Sequence, residues 1–337
     1  MKNKENLSEA QIRPLGLVKK QKKFLLHDIK RLQSKSNYFI FVNCPGCNSR
    51  KFKLIFSKNK FRYVECQKCK TFFMNPRPAP KILEWFYKES VNYKFWNDFI
   101  FPASENARRE KIIIPRIDKL LDLMKKYNLN RNSLIEIGSG FGTFAYELSK
   151  RNLFKKIVCV EPTPSLASSC RKRNLEVIES PIEKVKLSKI DLFDIAVSFE
   201  VIEHLFSPSK FIGSINKLLK PKGAILIVCP NGQGFDVQIL GKASDTVDHE
   251  HLNYFNIESL SLLLIKSGFS ILECSTPGRL DADIVRNKIL SRKFSISQQS
   301  FLKKILLEDW ERLGENFQDF LIQNLLSSNM WILARKN

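Results

Sequence analysis

The feature that most constrains the fold of this chain is a glycine-rich turn between an apolar strand and a helix, in the segment Leu134 to Leu148. The segment reads LIEIGSGFGTFAYEL and places glycines at Gly138, Gly140 and Gly142. Glycine permits a tight turn and lets a ligand approach the backbone closely. The first turn of the following helix offers unpaired N–H groups to polar ligand atoms. The segment therefore predicts a site for a nucleoside-type ligand at a strand-to-helix turn.

Strands and helices alternate from residue 132 onwards, which is typical of an α/β fold with a mostly parallel sheet. The predicted strands are SLIEIG, KIVCVEP, LEVIES, FDIAVSFEV, GAILIVCP and SILECSTP. The apolar centre of the final segment, SSNMWILARKN, predicts one more strand. Helical patterns fill most of the preceding residues, so we expect a helical insertion at about 280–328 before the chain returns to the sheet.

Two acidic residues narrow the type of ligand. Glu136 lies two residues before the first glycine. Glu161 ends the second predicted strand, where its carboxylate can accept hydrogen bonds from both hydroxyls of a ribose. A nicotinamide-binding turn would have its third glycine one position later, where this chain has Thr143. The spacing G-x-G-x-G favours a ligand without a pyrophosphate.

Further along the chain, FEVIEHL follows the fourth predicted strand and KLLKPKGAILIVCPN surrounds the fifth. In this order, the motifs resemble those of the class I S-adenosylmethionine-dependent methyltransferases. The resemblance implies a Rossmann-like sheet, mostly parallel, whose last strand is antiparallel. It also implies a set of cofactor-binding residues, namely Glu136, Gly138, Gly140, Gly142, Glu161, Ile182 against the adenine and Glu200 beside the methionine part.

Two cysteine pairs, CPGC and CQKC, lie near the amino terminus and are separated by 18 residues. This spacing is typical of a zinc ribbon, in which four thiolates close a tetrahedral structural site. The predicted zinc ligands are Cys44, Cys47, Cys66 and Cys69. The other four cysteines are scattered, and nothing indicates a disulfide framework.

These patterns predict four regions: a basic tail or helix at 1–36, the zinc ribbon at 37–79, a helical linker at 80–127, and a methyltransferase domain at 128–337. The formal net charge is +22 and is concentrated near the amino terminus, which favours phosphate-bearing partners or a solvated lysine-rich surface. We found no apolar run long enough to span a membrane and no signal peptide, so we expect a cytoplasmic protein.

Three of the four histidines fall in or beside these motifs, and two of them belong to HEHLNYF after the fifth strand. A histidine there can remove a proton as a methyl group leaves sulfur. We therefore predict His251 as the base, held by Glu250, with His249 as a third catalytic candidate. Together with the zinc ribbon and the helical insertion, HEHLNYF resembles bacterial methyltransferases of sugar and surface-polysaccharide pathways, although Asp248 stands where their C-methylating members carry tyrosine.

That resemblance implies methyl transfer to oxygen, nitrogen or carbon of a sugar-containing small molecule, such as a glycan or nucleotide-sugar precursor. In a second interpretation of the site, Glu200, Glu203, His204 and His251 ligate Mg²⁺ or Mn²⁺. A rival function is RNA methylation that uses the basic region and the ribbon, and a non-enzymatic alternative is a binding protein with a vestigial cofactor fold.

Overall fold

The computed structural model describes residues 8–185 and 192–337. The strands in this part of the chain are β1 (Phe39–Ile40), β2 (Phe52–Lys58), β3 (Phe61–Cys66), β4 (Phe72–Met74), β5 (Arg77–Pro78), β6 (Ser133–Ile137), β7 (Lys156–Val160), β8 (Glu176–Ile178), β9 (Phe193–Phe199), β10 (Leu219–Pro230), β11 (Asn253–Tyr254), β12 (Phe269–Ser275) and β13 (Asn329–Lys336).

The α-helices of the described residues are α1 (Glu9–Ile12), α2 (Leu15–Gln33), α3 (Pro80–Glu89), α4 (Val91–Phe95), α5 (Phe101–Arg108), α6 (Ile114–Lys126), α7 (Thr143–Ser149), α8 (Pro164–Lys172), α9 (Pro208–Leu218), α10 (Phe235–Leu240), α11 (Ile257–Lys266), α12 (Asp281–Leu290), α13 (Ser300–Lys303) and α14 (Trp310–Gln323). No helix in these ranges is both long enough and apolar enough to cross a bilayer.

The largest sheet has seven strands in the order β12-β13-β10-β9-β6-β7-β8. Strands β6 to β10 pair in parallel with their neighbours, whereas β13 is antiparallel to both β10 and β12. Alternate residues of the central strands enter two separate apolar cores: Ile135 and Ile225 lie on one face of the sheet, and Leu134 and Leu226 lie on the other. The predicted Rossmann-like sheet, mostly parallel with an antiparallel last strand, is confirmed.

The cysteine-rich region folds around a second sheet of four strands, in the order β11-β4-β3-β2. Its edge strand β11 comes from the HEHLNYF segment, about 180 residues further along the chain. Asn253 pairs with Phe73, and Tyr254 pairs with Phe72. The predicted boundary at residue 79 therefore leaves out a strand that the cysteine-rich sheet shares with the following region.

Helices α3 to α6 precede the large sheet in the chain, and α6 packs on the face of the sheet that carries Leu134 and Leu226. π-Helical turns at Trp96–Ile100 and Arg109–Ile113 connect α4, α5 and α6, and Pro115 lies in the first turn of α6. The ring of Phe101 packs 5.7 Å from that of Phe141 in the glycine turn. The expected basic segment 1–36 contains α2, and its first seven residues lie outside the described part of the chain. Helices α12 to α14 occupy the predicted insertion.

Candidate active site

The glycine turn after β6 has a backbone that other residues would strain. Gly138, Gly140 and Gly142 have φ angles of 77°, 54° and 72°, all in the left-handed region. A Cβ atom on Gly138 would lie 2.4 Å from Val201 Cγ2, whereas a Cβ atom on Gly140 would meet no atom within 4 Å. The turn is therefore packed on one side and open at Gly140, where a ligand can approach the backbone.

Glu161 and Glu136 are the buried acids of this turn. Glu161 Oε2 accepts a hydrogen bond of 2.9 Å from Gly140 N, and its Oε1 accepts one of 2.9 Å from Thr163 N. Glu136 Oε2 accepts from Ala145 N, 3.2 Å away in the first turn of α7, where the helix dipole favours negative charge. Burial raises the pKa of both carboxyl groups. Both side chains are held by backbone N–H groups of the loops and helix around the turn.

Glu200 and a half-buried arginine, Arg116, lie on the side of the turn next to β9. Glu200 has a φ angle of 56°, which is uncommon outside glycine. Its Oε1 accepts hydrogen bonds from Asn329 Nδ2 at 3.0 Å and from Arg116 Nη2 at 3.4 Å. Arg116 lies on α6 with 13% of its side chain exposed, and its guanidinium stacks on the Phe199 ring. Sequence reasoning missed this residue, although it is a cation that directly follows the apolar run IIIP. Ile182, the predicted adenine contact, is buried in a 3₁₀ turn.

A second cluster lies where β9 ends, in the 3₁₀ turn Ile202–His204, and it includes His251 from the loop before β11. One candidate ligand atom from each of Glu203, His204 and His251 lies within 4.8 Å of the others. The two imidazole rings meet edge to face, with their centroids 4.6 Å apart. The structure therefore brings together three of the four residues of the predicted divalent-cation set. The fourth, Glu200, precedes the turn, and its Oε1 is bonded to Arg116 and Asn329.

Hydrogen bonds leave one nitrogen of each imidazole free to accept. His251 Nδ1 is 2.8 Å from the Thr246 carbonyl, and His204 Nδ1 is 3.2 Å from the Glu250 carbonyl. A carbonyl can only accept, so Nδ1 carries the proton in His251 and Nε2 keeps its lone pair. His204 Nδ1 also lies 3.1 Å from the Tyr87 hydroxyl, which can accept from it or donate to it. When His204 Nδ1 donates to the Glu250 carbonyl, its Nε2 is free as well. Burial lowers the pKa of His204 to about 3, with further lowering by the charge of His251, so the His204 ring is neutral near pH 7.

The Glu203 carboxylate is buried without any hydrogen-bond partner in the described structure. The residue is 1% exposed, and neither Oε1 nor Oε2 meets a donor. Burial raises the pKa of this carboxyl group well above its usual value, and the nearby Glu200 carboxylate acts in the same direction. An unpaired buried carboxylate is costly, so this group either holds a proton that it can share with Glu200 or is charged beside a cation.

Glu250 and His249, both predicted to be catalytic, point away from this cluster. Glu250 Oε1 accepts a hydrogen bond of 2.9 Å from Asn92 Nδ2, and burial raises its pKa to about 8. His249 is 2% exposed and packs edge to face on Phe86. The prediction that Glu250 holds His251 is wrong, because the carboxylate turns toward α4.

Asp248 takes the role that had been expected of Glu250. Its Oδ1 accepts hydrogen bonds from the backbone N–H groups of Glu250 and His251, at 2.8 and 2.9 Å. Its Oδ2 lies 4.0 Å from His251 Nδ1. This residue therefore fixes the turn that presents His251.

The four paired cysteines also converge. Their Sγ atoms lie within 4.8 Å of one another, with Cys44 and Cys69 at 3.4 Å and Cys47 and Cys66 at 3.5 Å. Four thiolates around one zinc ion, with Zn–S bonds of about 2.3 Å, would stand about 3.8 Å apart. The cluster therefore has the dimensions that a tetrahedral metal site requires.

Comparison with known proteins places this geometry in a family. Residues 106–274, half of the chain, match the family model described as "Methyltransferase domain". The chain is 28% identical over 155 residues to a ubiquinone biosynthesis O-methyltransferase of Rickettsia canadensis, covering 44% of this chain and 61% of that protein. It is 25% identical over 171 residues to the C-methyltransferase NovU of Streptomyces niveus, covering 49% of this chain and 39% of NovU.

The chain spans about half the length of the curated relatives it matches. A solved S-adenosylmethionine-dependent methyltransferase from Clostridium acetobutylicum superposes with a TM-score of 0.46 at 10% identity, covering 72% of this chain and 99% of that one. The family match coincides with the glycine turn, Glu161 and the turn after β9 described above. The chain belongs to the methyltransferase-domain family.

Proposed function

We propose that this chain is an enzyme that transfers a methyl group from S-adenosylmethionine to a hydroxyl group of a sugar-containing small molecule. The acceptor would bind at Glu203, His204 and His251. One observation carries this proposal. A fully buried carboxylate without a hydrogen-bond partner lies beside two imidazoles, each with one nitrogen free to accept. The cluster follows β9, next to the turn that holds Glu200, so an acceptor there would lie close to the methionine end of the cofactor.

The glycine turn and its acids would hold the cofactor. Glu161 would accept hydrogen bonds from the two ribose hydroxyls. The space beside Gly140 would let the nucleoside contact the backbone. Ile182 would pack against the adenine. At the methionine end, the Arg116 guanidinium would bind the carboxylate and Glu200 the amino group, because their charges are complementary to those groups. Such positioning can account for roughly 7–11 kcal/mol of the barrier reduction.

The acceptor cluster fits a divalent cation. One or two carboxylates with two imidazoles suit Mg²⁺ or Mn²⁺, and Nδ1 of each histidine lies at hydrogen-bond distance from a backbone carbonyl, an arrangement that metal-bound histidines usually have. A bound cation would lower the pKa of an acceptor hydroxyl and favour a substrate with two adjacent oxygens, such as a diol. This requirement supports transfer to oxygen over transfer to nitrogen or carbon.

His251 could instead act without a metal, as the base that the sequence predicts. Its Nδ1–H bond to the Thr246 carbonyl leaves Nε2 free to take the proton of the hydroxyl as the C–O bond forms and the C–S bond breaks. Asp248 Oδ2, 4.0 Å from Nδ1, would then stabilise the imidazolium. This mechanism leaves the Glu203 carboxylate without a partner, so we favour the cation.

The cysteine cluster would hold a structural zinc ion. Its four thiolates leave no coordination position open for chemistry. The ion would stabilise the sheet formed by β2, β3, β4 and β11, whose own apolar core is small.

The acceptor class can be tested with S-adenosylmethionine carrying a labelled methyl group. The purified enzyme is dialysed against a chelator, resupplied with Zn²⁺ alone or with Zn²⁺ and Mn²⁺, and offered nucleotide-sugars, free sugars, catechols or single-stranded RNA. We expect label in the sugar compounds, and only with Mn²⁺ present. Label confined to catechol or RNA would overturn the sugar assignment, and equal transfer without Mn²⁺ would support His251 as a metal-free base.

A further inference from the structure

The turn that carries Glu203 and His204 is held in place by one buried side chain. Asn253, in β11, is 0% exposed. Its Nδ2 atom lies 2.7 Å from the Leu205 carbonyl, 3.2 Å from that of Ile202 and 3.3 Å from that of Glu203. A single amide group thus donates to three of the four carbonyls in residues 202–205, although almost fifty residues separate the two segments.

The same segment is tied to the turn through its backbone. Leu252 N donates to the Glu203 carbonyl at 2.8 Å, and the Leu252 carbonyl accepts from Met74 N at 3.0 Å. Because His251 directly precedes Leu252, these bonds set the separation between the turn and the loop that supply the two imidazoles. Residues from the cysteine-rich sheet take part in the same contacts.

A buried arginine completes the connection. Arg77, in β5, is 0% exposed, and no ion pair joins it to a carboxylate in the described structure. Its guanidinium donates to Asn253 Oδ1 at 2.9 Å and to the carbonyls of Leu252, Met74 and Phe206 at 3.2 to 3.4 Å. Burial lowers its pKa to about 9. An arginine satisfied by one amide and three carbonyls has the fork geometry that lysine lacks.

We propose that Asn253 and Arg77 are positioning residues that join the cysteine-rich sheet to the acceptor cluster and hold Glu203 and His204 against His251. This inference rests on the proposed function of that cluster. Groups that act on an acceptor or a cation must be held within about 0.5 Å of their working geometry. Here the two halves of the cluster come from separate loops. The Asn253 amide joins them through three backbone carbonyls, and the His204 ring adds one bond to the Glu250 carbonyl.

Three further contacts join residues 244–248, which precede His251, to the same cysteine-rich sheet. Lys58 Nζ donates to the carbonyls of Ser244 and Val247 at 2.7 and 2.6 Å, and Tyr63 Oη donates to the Asp248 carbonyl at 2.6 Å. The cysteine-rich sheet therefore supports the loop before and after His251. Within residues 8–185 and 192–337, the Asn253 amide and the Leu252 N–H extend that support to the Glu203 carbonyl, and the His204 ring bonds the Glu250 carbonyl.

The test is Asn253→Asp in the full-length, zinc-loaded enzyme. The aspartate keeps an oxygen for Arg77 but has no N–H to donate to the three carbonyls. The matched control is Asn231→Asp, which removes another buried amide that donates to two carbonyls, those of Leu325 and Ser327, beside the helical insertion. Mn²⁺ affinity is measured by paramagnetic resonance, S-adenosylmethionine affinity by calorimetry, and local opening by hydrogen exchange of peptides containing residues 201–206 and 249–255.

We expect Asn253→Asp to weaken Mn²⁺ binding by about 10- to 100-fold, as outer contacts of metal ligands do, while the cofactor affinity stays within about twofold. Exchange should rise in both peptides, and the control should change neither Mn²⁺ binding nor these peptides. A variant that binds Mn²⁺ normally and exchanges like the wild type would overturn the inference. If the wild type binds no Mn²⁺, the cation proposal fails instead, and the exchange comparison still decides the role of Asn253.

Discussion

The proposed active site has two halves: a cofactor half around the glycine turn and Glu161, and an acceptor half formed by Glu203, His204 and His251. They differ in whether their carboxyl groups have hydrogen-bond partners. In the cofactor half, both oxygens of Glu161 accept backbone hydrogen bonds. In the acceptor half, both oxygens of Glu203 are buried without a partner in the described structure. The Glu161 carboxylate is satisfied within the loops after β6 and β7. The second half draws residues from two distant loops and relies on the cysteine-rich sheet for support.

This difference indicates that the two proposed halves depend on different parts of the fold. The glycine turn and Glu161 are bonded mainly by the backbone of the segments that follow β6 and β7, so this part of the site forms with the sheet itself. The acceptor cluster needs contacts between segments far apart in the chain and a partner for its carboxylate. Changes to one half should therefore leave the other largely intact, and the predictions below test that separation.

The largest effect is expected from Cys66→Ser, which removes one predicted zinc ligand. Structural zinc supplies about 10–16 kcal/mol to the folding of small metal-dependent units, so the sheet that supports His251 should loosen and turnover should fall at least about 100-fold. Cofactor affinity, measured by calorimetry, should change only severalfold. Cys274→Ser, at a cysteine outside the cluster, is the control. Full zinc content and normal turnover in Cys66→Ser would show that the sheet does not depend on this ligand.

In the cofactor half, Glu161→Ala should weaken binding of S-adenosylmethionine by about 10- to 100-fold, because charge-assisted hydrogen bonds contribute roughly 1.5–3 kcal/mol each. Calorimetry measures the loss directly. Mn²⁺ binding should be unchanged. The matched control, Glu179→Ala, removes an acid that pairs with Arg171 at the surface. An unaltered cofactor affinity in Glu161→Ala would contradict the assignment of this carboxylate to the ribose.

A smaller effect, about tenfold, is expected for Arg116→Gln, since this residue would bind one end of the cofactor through a charge-assisted contact. The loss should appear with S-adenosylhomocysteine, which keeps the carboxylate, and be absent with methylthioadenosine, which lacks it. Arg151→Gln, which removes a surface partner of Asp118, serves as the comparison. Equal losses for both ligands would mean that Arg116 supports the site without touching the carboxylate.

The smallest effect concerns Glu250 and stability. Its pKa is raised from 4.5 to about 8, so the folded state holds a proton that the unfolded state has already lost. Stability should therefore fall as the pH rises from about 4.5 through 8. Glu250→Gln, which can still accept from Asn92, should unfold at a higher temperature than the wild type at pH 9 and at the same temperature at pH 4. Turnover near pH 7 should persist, and its loss would restore Glu250 to a catalytic role.

Features that depend on residues close together in the chain could be predicted from the sequence. The strand order along the chain, the glycine turn and the spacing of the four cysteines all depend on neighbouring residues. Glu250 was misassigned because the sequence shows its neighbour His251 but not the competing donor on Asn92, 158 residues away. Arg116, Asn253 and Arg77 were missed for the same reason, since each acts through contacts with distant segments.

The central claim is that the acceptor half holds a cation on Glu203 while the cofactor half works independently. Titration of Mn²⁺ into the zinc-loaded wild type and Glu203→Gln, followed by paramagnetic resonance, tests it most directly, because Mn²⁺ suits carboxylate and imidazole ligands. We predict saturable binding of one Mn²⁺ in the wild type, its loss in Glu203→Gln, and the same affinity for S-adenosylmethionine in both. Equal Mn²⁺ binding by the two proteins, or none by the wild type, would contradict the claim.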